Sequence, residues 1–245
     1  MEKERLDSIV SRRFQITRSK AQGLIQTGRV LDAEGNLLDK PGMRFPPDVP
    51  LQVVGGNKFV SRGGDKLQHA FDTFPVSVAG KVAIDVGAST GGFTDCLLQN
   101  GAVRVYAVDV GYGQLAWELR QDRRVVVMER CNIRKLEPGG LEDRPEFFTA
   151  DCSFISVRVV LSSLMSLLSA HPEGVVLIKP QFEAGKERVS RGGVVRDASV
   201  HEEVIHDVVE HCRRLGFQGV DITPSPLLGP AGNREFLAWL HDFNG

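Results

Sequence analysis

Cysteine is scarce and scattered in this 245-residue chain: Cys96, Cys131, Cys152 and Cys212 lie far apart and form no Cys-x-x-Cys. That spacing argues against a zinc centre and demands no disulfide, so no metal is expected and the thiols read as reduced core residues. Long apolar runs are also missing. No stretch reaches the ~18 residues that a membrane span needs, and Met1-Glu-Lys-Glu-Arg5 lacks the apolar centre of a signal peptide, so the expected location is cytoplasmic, away from membranes. Charge of one sign is lacking too: 30 Lys and Arg against 31 Asp and Glu leave a net −1, which alone calls for no polyanionic partner. The average conceals an asymmetry. Residues 1–66 carry 12 basic against 8 acidic side chains, and residues 67–245 carry 18 against 23, so the positive charge sits at the front.

What the chain does have is the stretch Asp85-Val-Gly-Ala-Ser-Thr-Gly-Gly-Phe93 after the apolar run Val82–Ile84 and before a helical pattern. Glycines at 87, 91 and 92 permit a sharp turn and close approach of backbone to a ligand, and Asp85 at the strand end can accept a hydrogen bond. The spacing is not Gly-x-Gly-x-x-Gly, since Ser89 stands at the second glycine, which disfavours a dinucleotide pyrophosphate. A second strand, Val103–Val108, ends at Asp109, and an acid about 20 residues on commonly takes ribose hydroxyls. Together these stretches suggest S-adenosylmethionine; a plain structural βα turn is the alternative.

The front segment reads as a small domain of residues 1–54. Leu6, Ile9 and Val10 recur at helical spacing; Thr17 caps a second helix with Ala21, Leu24 and Ile25 inward and Gly28 as its stop. Short strands follow around Arg29–Leu31, Leu37–Leu38 and Leu51–Val54. Arg12, Arg13, Arg18, Lys20 and Arg29 fall on or beside the helices, where they can follow a phosphate backbone, although such a face is often merely solvated. Residues 55–60, opening with Gly55-Gly-Asn57, form the expected linker. From residue 61 to 245 an amphipathic helix through Leu67, Ala70 and Phe71 precedes apolar runs alternating with helical patterns. Buried strands are expected at Val125–Met128, Phe147–Ala150 and Val175–Ile178, and a closing hairpin near Gln218–Thr223 and Phe236–Leu240. The fold class is α/β, an open doubly wound, Rossmann-like sheet.

Ligands of such sheets sit outside the carboxyl ends of the strands. Asp85, Asp151 and Lys179 each fall where an apolar strand stops, and Glu235 enters the last strand against an apolar background and needs a partner. Lys66, early in a helix, opposes the helix dipole. The segment Gly185–Gly193 carries Lys186, Arg188 and Arg191 beyond the Lys179 strand and, with Arg62, offers further phosphate contacts.

Two resemblances add to this reading. Residues 4–54, through Thr17-Arg-Ser-Lys-Ala21, Ile25-x-x-Gly28-x-Val30 and Asp39-Lys-Pro-Gly42, resemble the RNA-binding module named after ribosomal protein S-four. The order Lys66, Asp151, Lys179, Glu235 resembles the catalytic tetrad of the FtsJ-like ribose 2′-O-methyltransferases, whose sheet is of the class I methyltransferase type. Ser61-Arg-Gly-Gly-x-Lys-Leu67, Asp85–Thr94, Val108–Leu115, Asp151-x-Ser-Phe-Ile-Ser156, Lys179-Pro-Gln-Phe-Glu183 and Gly229-Pro-x-Gly-Asn-x-Glu235 are similar to the TlyA, or haemolysin A-like, family over nearly the whole chain.

The resemblance implies S-adenosylmethionine-dependent 2′-O-methylation of ribosomal RNA, at cytidine, on free RNA or ribosomal subunits. It implies Lys179 as the central group at the 2′-oxygen, whether as base or as electrostatic steering group, with Asp151 and Glu235 ion-paired to it and Lys66 on the target ribose or phosphate. The cofactor would meet Asp85, Gly87, Ser89, Thr90, Gly91, Gly92, Phe93 and Asp151 around its methionine part, Asp109 and Tyr112 at its ribose and Asn132 at its adenine. A non-catalytic RNA- or ribosome-binding factor and an RNA base methyltransferase are the rival readings; the latter would need Cys152 as nucleophile, because Asp151-Cys-Ser-Phe154 lacks the prolines of an exocyclic-amine enzyme. Direct membrane lysis has no apolar span to support it.

Overall fold

The computed structural model describes residues 3–26, 28–54 and 58–245, and the joint expected at 55–57 lies outside them. Residue contacts divide the chain into two compact units, Met1–Lys58 and Phe59–Gly245.

In the first unit β1 (Glu4–Arg5) leads into α1 (Leu6–Arg13), followed by α2 (Arg18–Gln26), β2 (Val30–Asp32), β3 (Arg44–Phe45) and β4 (Leu51–Val53). The helical spacing holds: Leu6, Ile9, Val10, Ala21, Leu24 and Ile25 are buried. Thr17 Oγ1 accepts the Lys20 N–H at 3.2 Å and caps α2. β2 pairs antiparallel with β4, and β1 with β3; the second pairing was not legible, since two-residue strands carry no alternation. Asp7 is fully buried beneath the helices, paired with Arg5 at 2.9 Å and Arg18 at 3.3 Å and accepting from Gln22. The Arg5 guanidinium holds its carboxyl far below the usual carboxylate range.

The second unit opens with Phe59, buried against Gly64, and with the Val60 N–H donated to Asp95 at 2.8 Å. The last two residues of the anticipated linker are therefore part of this unit. Then come α3 (Gly63–Thr73), β5 (Val82–Val86), α4 (Gly92–Gln99), β6 (Arg104–Val108), α5 (Trp117–Gln121), β7 (Val125–Met128), β8 (Phe147–Ala150), α6 (Val157–Leu164), β9 (Glu173–Ile178), α7 (Pro180–Glu183), α8 (Ala198–Leu215), β10 (Phe217–Pro224) and β11 (Phe236–Phe243). One seven-stranded sheet runs in the order β10-β11-β9-β8-β5-β6-β7, parallel except for β11, which is antiparallel to both neighbours.

Period-two alternation explains the two covering layers. Ala83, Val105, Phe147, Val175 and Leu237 face one way and pack with Leu67 and Ala70 of α3 and Phe93 and Leu97 of α4. Ile84, Tyr106, Phe148, Val176 and Ala238 face the other way and pack with Val160 and Leu161 of α6 and Val204 and Val208 of α8. Strand order reverses between β5 and β8, whose carboxyl ends are the place for a ligand. Among the described residues no helix is long and apolar enough to cross a membrane.

Leu161 is fully buried and Val159, two residues away on α6, is 41% exposed. Leu161→Ala is expected to cost about 3 kcal/mol, a Tm loss of roughly 10 °C, and Val159→Ala almost nothing; a thermal melt of both variants checks this.

Candidate active site

The carboxyl edge of the sheet gathers side chains from four separate segments. Asp151 follows β8 and Lys179 follows β9, the neighbouring parallel strand, and Lys179 Nζ meets Asp151 Oδ1 at 2.5 Å and Ser153 Oγ at 3.2 Å. Because β11 runs antiparallel, its first residues lie at this same edge. The register Phe236↔Ile178 puts Glu235 beside the position of Lys179. Glu235 pairs with Lys66 of α3 at 2.6 Å, not with Lys179, which corrects the expectation that both acids hold one lysine. Lys179 is 7% exposed and Glu235 2%, so both charges are held by partners rather than by water. Among the described residues, Glu235 Oε1, packed against Gly229, is buried without a hydrogen-bond partner. A carboxylate oxygen this dry strengthens the hold of its other oxygen on Lys66.

All four side chains line a cavity of about 320 Å³, with Arg62 and Ser153 also on its wall. A second cavity, of about 450 Å³, lies over β5 and β6 and shares Gly87, Ser89, Asp151 and Ser153 with the first. Its walls combine apolar Val108, Ile133 and Val160 with Asp109, Gln114 and Asn132. Asp109 accepts the Ser89 N–H at 2.8 Å and the Gly111 N–H at 2.6 Å, and each carboxylate oxygen retains a lone pair for a hydroxyl. Asn132 Oδ1 accepts the Arg134 N–H at 3.0 Å, which leaves its amide N–H groups as donors. A carboxylate, an amide and apolar walls fit a nucleoside, and the turn above β5 fits the part of a cofactor that points toward Lys179. Gly87 is required there: its φ is +84°, and a Cβ would stand 2.5 Å from the Asp151 carbonyl oxygen. Gly92 likewise permits α4 to approach α3, since its Cβ would lie 2.8 Å from the Gly64 nitrogen.

The remaining candidates divide. Thr90, Gly92 and Phe93 line the smaller cavity; Gly91 turns the chain into α4 at φ +96°. Asp85 does not reach either cavity. It is fully buried under the turn, accepting from Thr94 Oγ1 at 2.6 Å and Thr149 Oγ1 at 2.8 Å, because β5 alternation turns it onto the α4 face. Tyr112 points outward and stacks under Arg130 at 4.3 Å, away from the ribose position expected for it. Arg12 is paired with Glu4, Arg13 donates to the Pro47 carbonyl at 3.0 Å, Arg18 is paired with Asp7, and Arg188 with Glu203. Arg29 is half-buried, Lys20, Arg62 and Arg191 are exposed, and the Lys186 side chain lies outside the described residues.

Sequence reasoning missed Ser153, Thr94, Thr149 and Asn233. Asn233 is buried, accepts the Val195 N–H at 3.0 Å and donates to the Gly193 carbonyl at 2.9 Å, tying the basic segment to the chain just before Glu235. Its place in Gly229-Pro-x-Gly-Asn-x-Glu235 was the only signal.

Burial raises the Asp85 carboxyl to about 6, against the hydrogen bonds from Thr94 and Thr149 and with help from nearby Asp151. The fold therefore binds this proton more tightly than the unfolded chain. Stability from the protonated form is full below about pH 4 and is lost as pH rises through about 6. Relative to Asp85→Asn, the wild type is expected to lose about 3 kcal/mol across that window. Denaturant unfolding of both proteins from pH 4 to 7 checks this; parallel curves would refute it.

The comparisons with known proteins agree with this geometry. Residues 59–242 match the FtsJ-like methyltransferase family. The chain is 51% identical over 242 residues, 98% of its own length and 86% of the other's, to the Bacillus subtilis protein named "Putative rRNA methyltransferase YqxC". It is 44% identical to "16S/23S rRNA (cytidine-2′-O)-methyltransferase TlyA" of Mycobacterium tuberculosis, covering 95% of this chain and 87% of that one. A solved structure of a "putative hemolysin" from Streptococcus thermophilus superposes with a TM-score of 0.76 at 42% identity, over 100% of this chain and 90% of that chain.

Proposed function

This chain belongs to the FtsJ-like methyltransferase family, and from that premise we propose that it methylates the 2′-oxygen of a cytidine in ribosomal RNA. S-adenosylmethionine is the cofactor and, when bound, supplies an electrophilic methyl group. The observation that carries the reading is the pair of lysine–carboxylate contacts, Lys179–Asp151 and Lys66–Glu235, on the wall of a cavity that shares four lining residues with a second one walled by a carboxylate, an amide and apolar side chains.

A ribose hydroxyl is a weak acid and must be oriented, with its developing negative charge met by a fixed group. Lys179 does this from the floor of the cavity: Asp151 and Ser153 fix its Nζ, leaving the remaining N–H to the 2′-oxygen. Lys66, fixed by Glu235, presents a second cation to the target ribose or its phosphate. Gly87, Ser89, Asp109, Asn132 and Asp151 would hold the cofactor; Asp85 supports the turn from beneath. Phe154 stands 92% exposed at φ +65° on the rim of the larger cavity and offers an aromatic face to an unstacked base. Arg62, on the wall of the first cavity, and the exposed Arg191 would meet RNA phosphates. The first unit serves as the ribosomal-protein-S-four-like RNA-binding domain, with Lys20 and Arg29 among its phosphate contacts. Arg12, Arg13 and Arg18 act there chiefly by holding the unit together. A ribosomal substrate places the protein in the cytoplasm.

The base-methylating alternative needs a thiolate at Cys152. Burial, with Asp151 alongside, pushes that thiol up to about 12. Labelled methyl transfer to purified ribosomal subunits, mapped as resistance of the 2′-modified link to alkaline cleavage, tests both readings. Wild type and Cys152→Ala are expected to mark the same ribose, and Lys179→Ala to be slower by at least about 10²-fold with cofactor binding retained. Label on a base, or loss of turnover in folded Cys152→Ala, would refute the ribose mechanism.

A further inference from the structure

The sequence motif Lys179-Pro-Gln-Phe-Glu183 ends in a carboxylate that the reaction has not used. Glu183 sits on α7, one turn beyond Lys179, and its side chain is 2% exposed. One oxygen accepts the Ser156 hydroxyl at 2.6 Å and the Arg158 Nε–H at 3.2 Å; the other accepts the Val157 N–H at 2.6 Å. Ser156 is the residue that closes the other strand-end motif, Asp151-x-Ser-Phe-Ile-Ser156, and is the N-cap of α6. The loops after β8 and β9 are thus joined at both ends. Lys179 reaches across to Asp151 and Ser153 near the sheet, and Glu183 reaches across to Ser156, Val157 and Arg158 farther out. Between the two ties the Phe154 and Phe182 rings meet at 5.3 Å.

Within the loop, the Asp151 N–H donates to the Val86 carbonyl at 3.0 Å and Cys152 and Ile155 pack on the core, so the outward part is Ser153 and Phe154. Phe154 is held at a positive φ that a bulky residue adopts only under constraint, and Ser153 and Phe154 are exposed. A capping bond to a helix N-terminus needs only one oxygen of a surface side chain. Here a buried carboxylate from a different loop uses both oxygens, and its bonds to Ser156, Val157 and Arg158, where the loop enters α6, offset its desolvation.

We propose that Glu183 is a positioning residue for the transfer step: it clamps the Asp151–Ser156 loop so that Asp151 and Ser153 hold the Lys179 ammonium in its working place. The proposal rests on the functional reading above but concerns a residue that lines neither cavity. Glu183→Ala frees the loop and lets Lys179 wander. Glu183→Gln keeps an acceptor for the Val157 N–H and a polar partner for Ser156, and holds the loop.

The test compares Glu183→Ala, Glu183→Gln and Asp197→Ala. Asp197 caps α8 through the Ser199 N–H at 2.9 Å, away from the loop, so its loss is a cap removed without the clamp. Glu183→Ala is expected to lower kcat at least ten-fold with KM for RNA within three-fold. Glu183→Gln and Asp197→Ala should stay within three-fold of wild type. A second readout needs no turnover: alkylation of Cys152, which lies inside the clamped loop and is mostly shielded, should speed up at least ten-fold in Glu183→Ala alone, read by peptide mass spectrometry. An unchanged kcat in Glu183→Ala, with a melting temperature lowered as in Asp197→Ala, would reduce Glu183 to a helix cap and overturn the proposal. If the wild type transfers no methyl to any RNA, the functional reading fails by itself, and the Cys152 rate alone then decides the clamp: unchanged means overturned.

Discussion

The contact between Lys179 and Asp151 is the constraint around which the larger unit is arranged. Two opposite charges, the lysine almost without water, are stable together only while each holds the other, so the loops after neighbouring strands must keep them in contact. The parallel pairing of β8 and β9 sets Ala150 opposite Val176, so Lys179 follows its strand farther along than Asp151 and its long side chain reaches back to the carboxylate. The antiparallel insertion of β11 brings Glu235 to the same edge, although it precedes its strand whereas Asp151 and Lys179 follow theirs. α3 then closes the set with Lys66. A lysine early in that helix is unfavourable toward the helix dipole, and the ion pair with Glu235 offsets the misfit.

The two cavities give this charge arrangement its use. They share Gly87, Ser89, Asp151 and Ser153, so a methyl donor in one and a ribose in the other would meet at the Asp151–Lys179 contact. The backbone at Gly87 passes so close to Asp151 that a side chain would push the two strand-end loops apart. Burial, with Asp151 alongside, pushes the Cys152 thiol up to about 12, which in the proposed reaction favours the substrate oxygen over the protein as nucleophile.

Much of this was legible in the chain. Continuous apolar runs such as Val175–Ile178 located the buried strands, and the charged residue stopping each run marked the ligand edge. The turn from Asp85 to Phe93 was readable as a binding loop. Other features depend on which face or partner a side chain finds, and local sequence does not carry that information. Asp85 looked like a cofactor ligand because it ends a strand, but alternation turns it under α4, where Thr94 and Thr149 take both its oxygens. Glu235 was expected on Lys179, because a linear pattern cannot tell that α3 passes nearer. Arg12, Arg18 and Arg188 counted as free positive charge, yet Glu4, Asp7 and Glu203 absorb them. Asn233 and Glu183 were visible only as letters in motifs; their roles come from loops that meet far apart in sequence.

In the proposed reaction the two lysine–carboxylate pairs act as one device on the target nucleotide. Groups that act as a unit lose their effects non-additively. Single-turnover methyl transfer to ribosomal subunits by Lys66→Met, Asp151→Asn and the double variant measures this directly. The account predicts losses of about 10²-fold or more for each single variant and a double variant no more than about ten-fold slower than the worse single. Losses that multiply in full would mean two independent contributions and would contradict it.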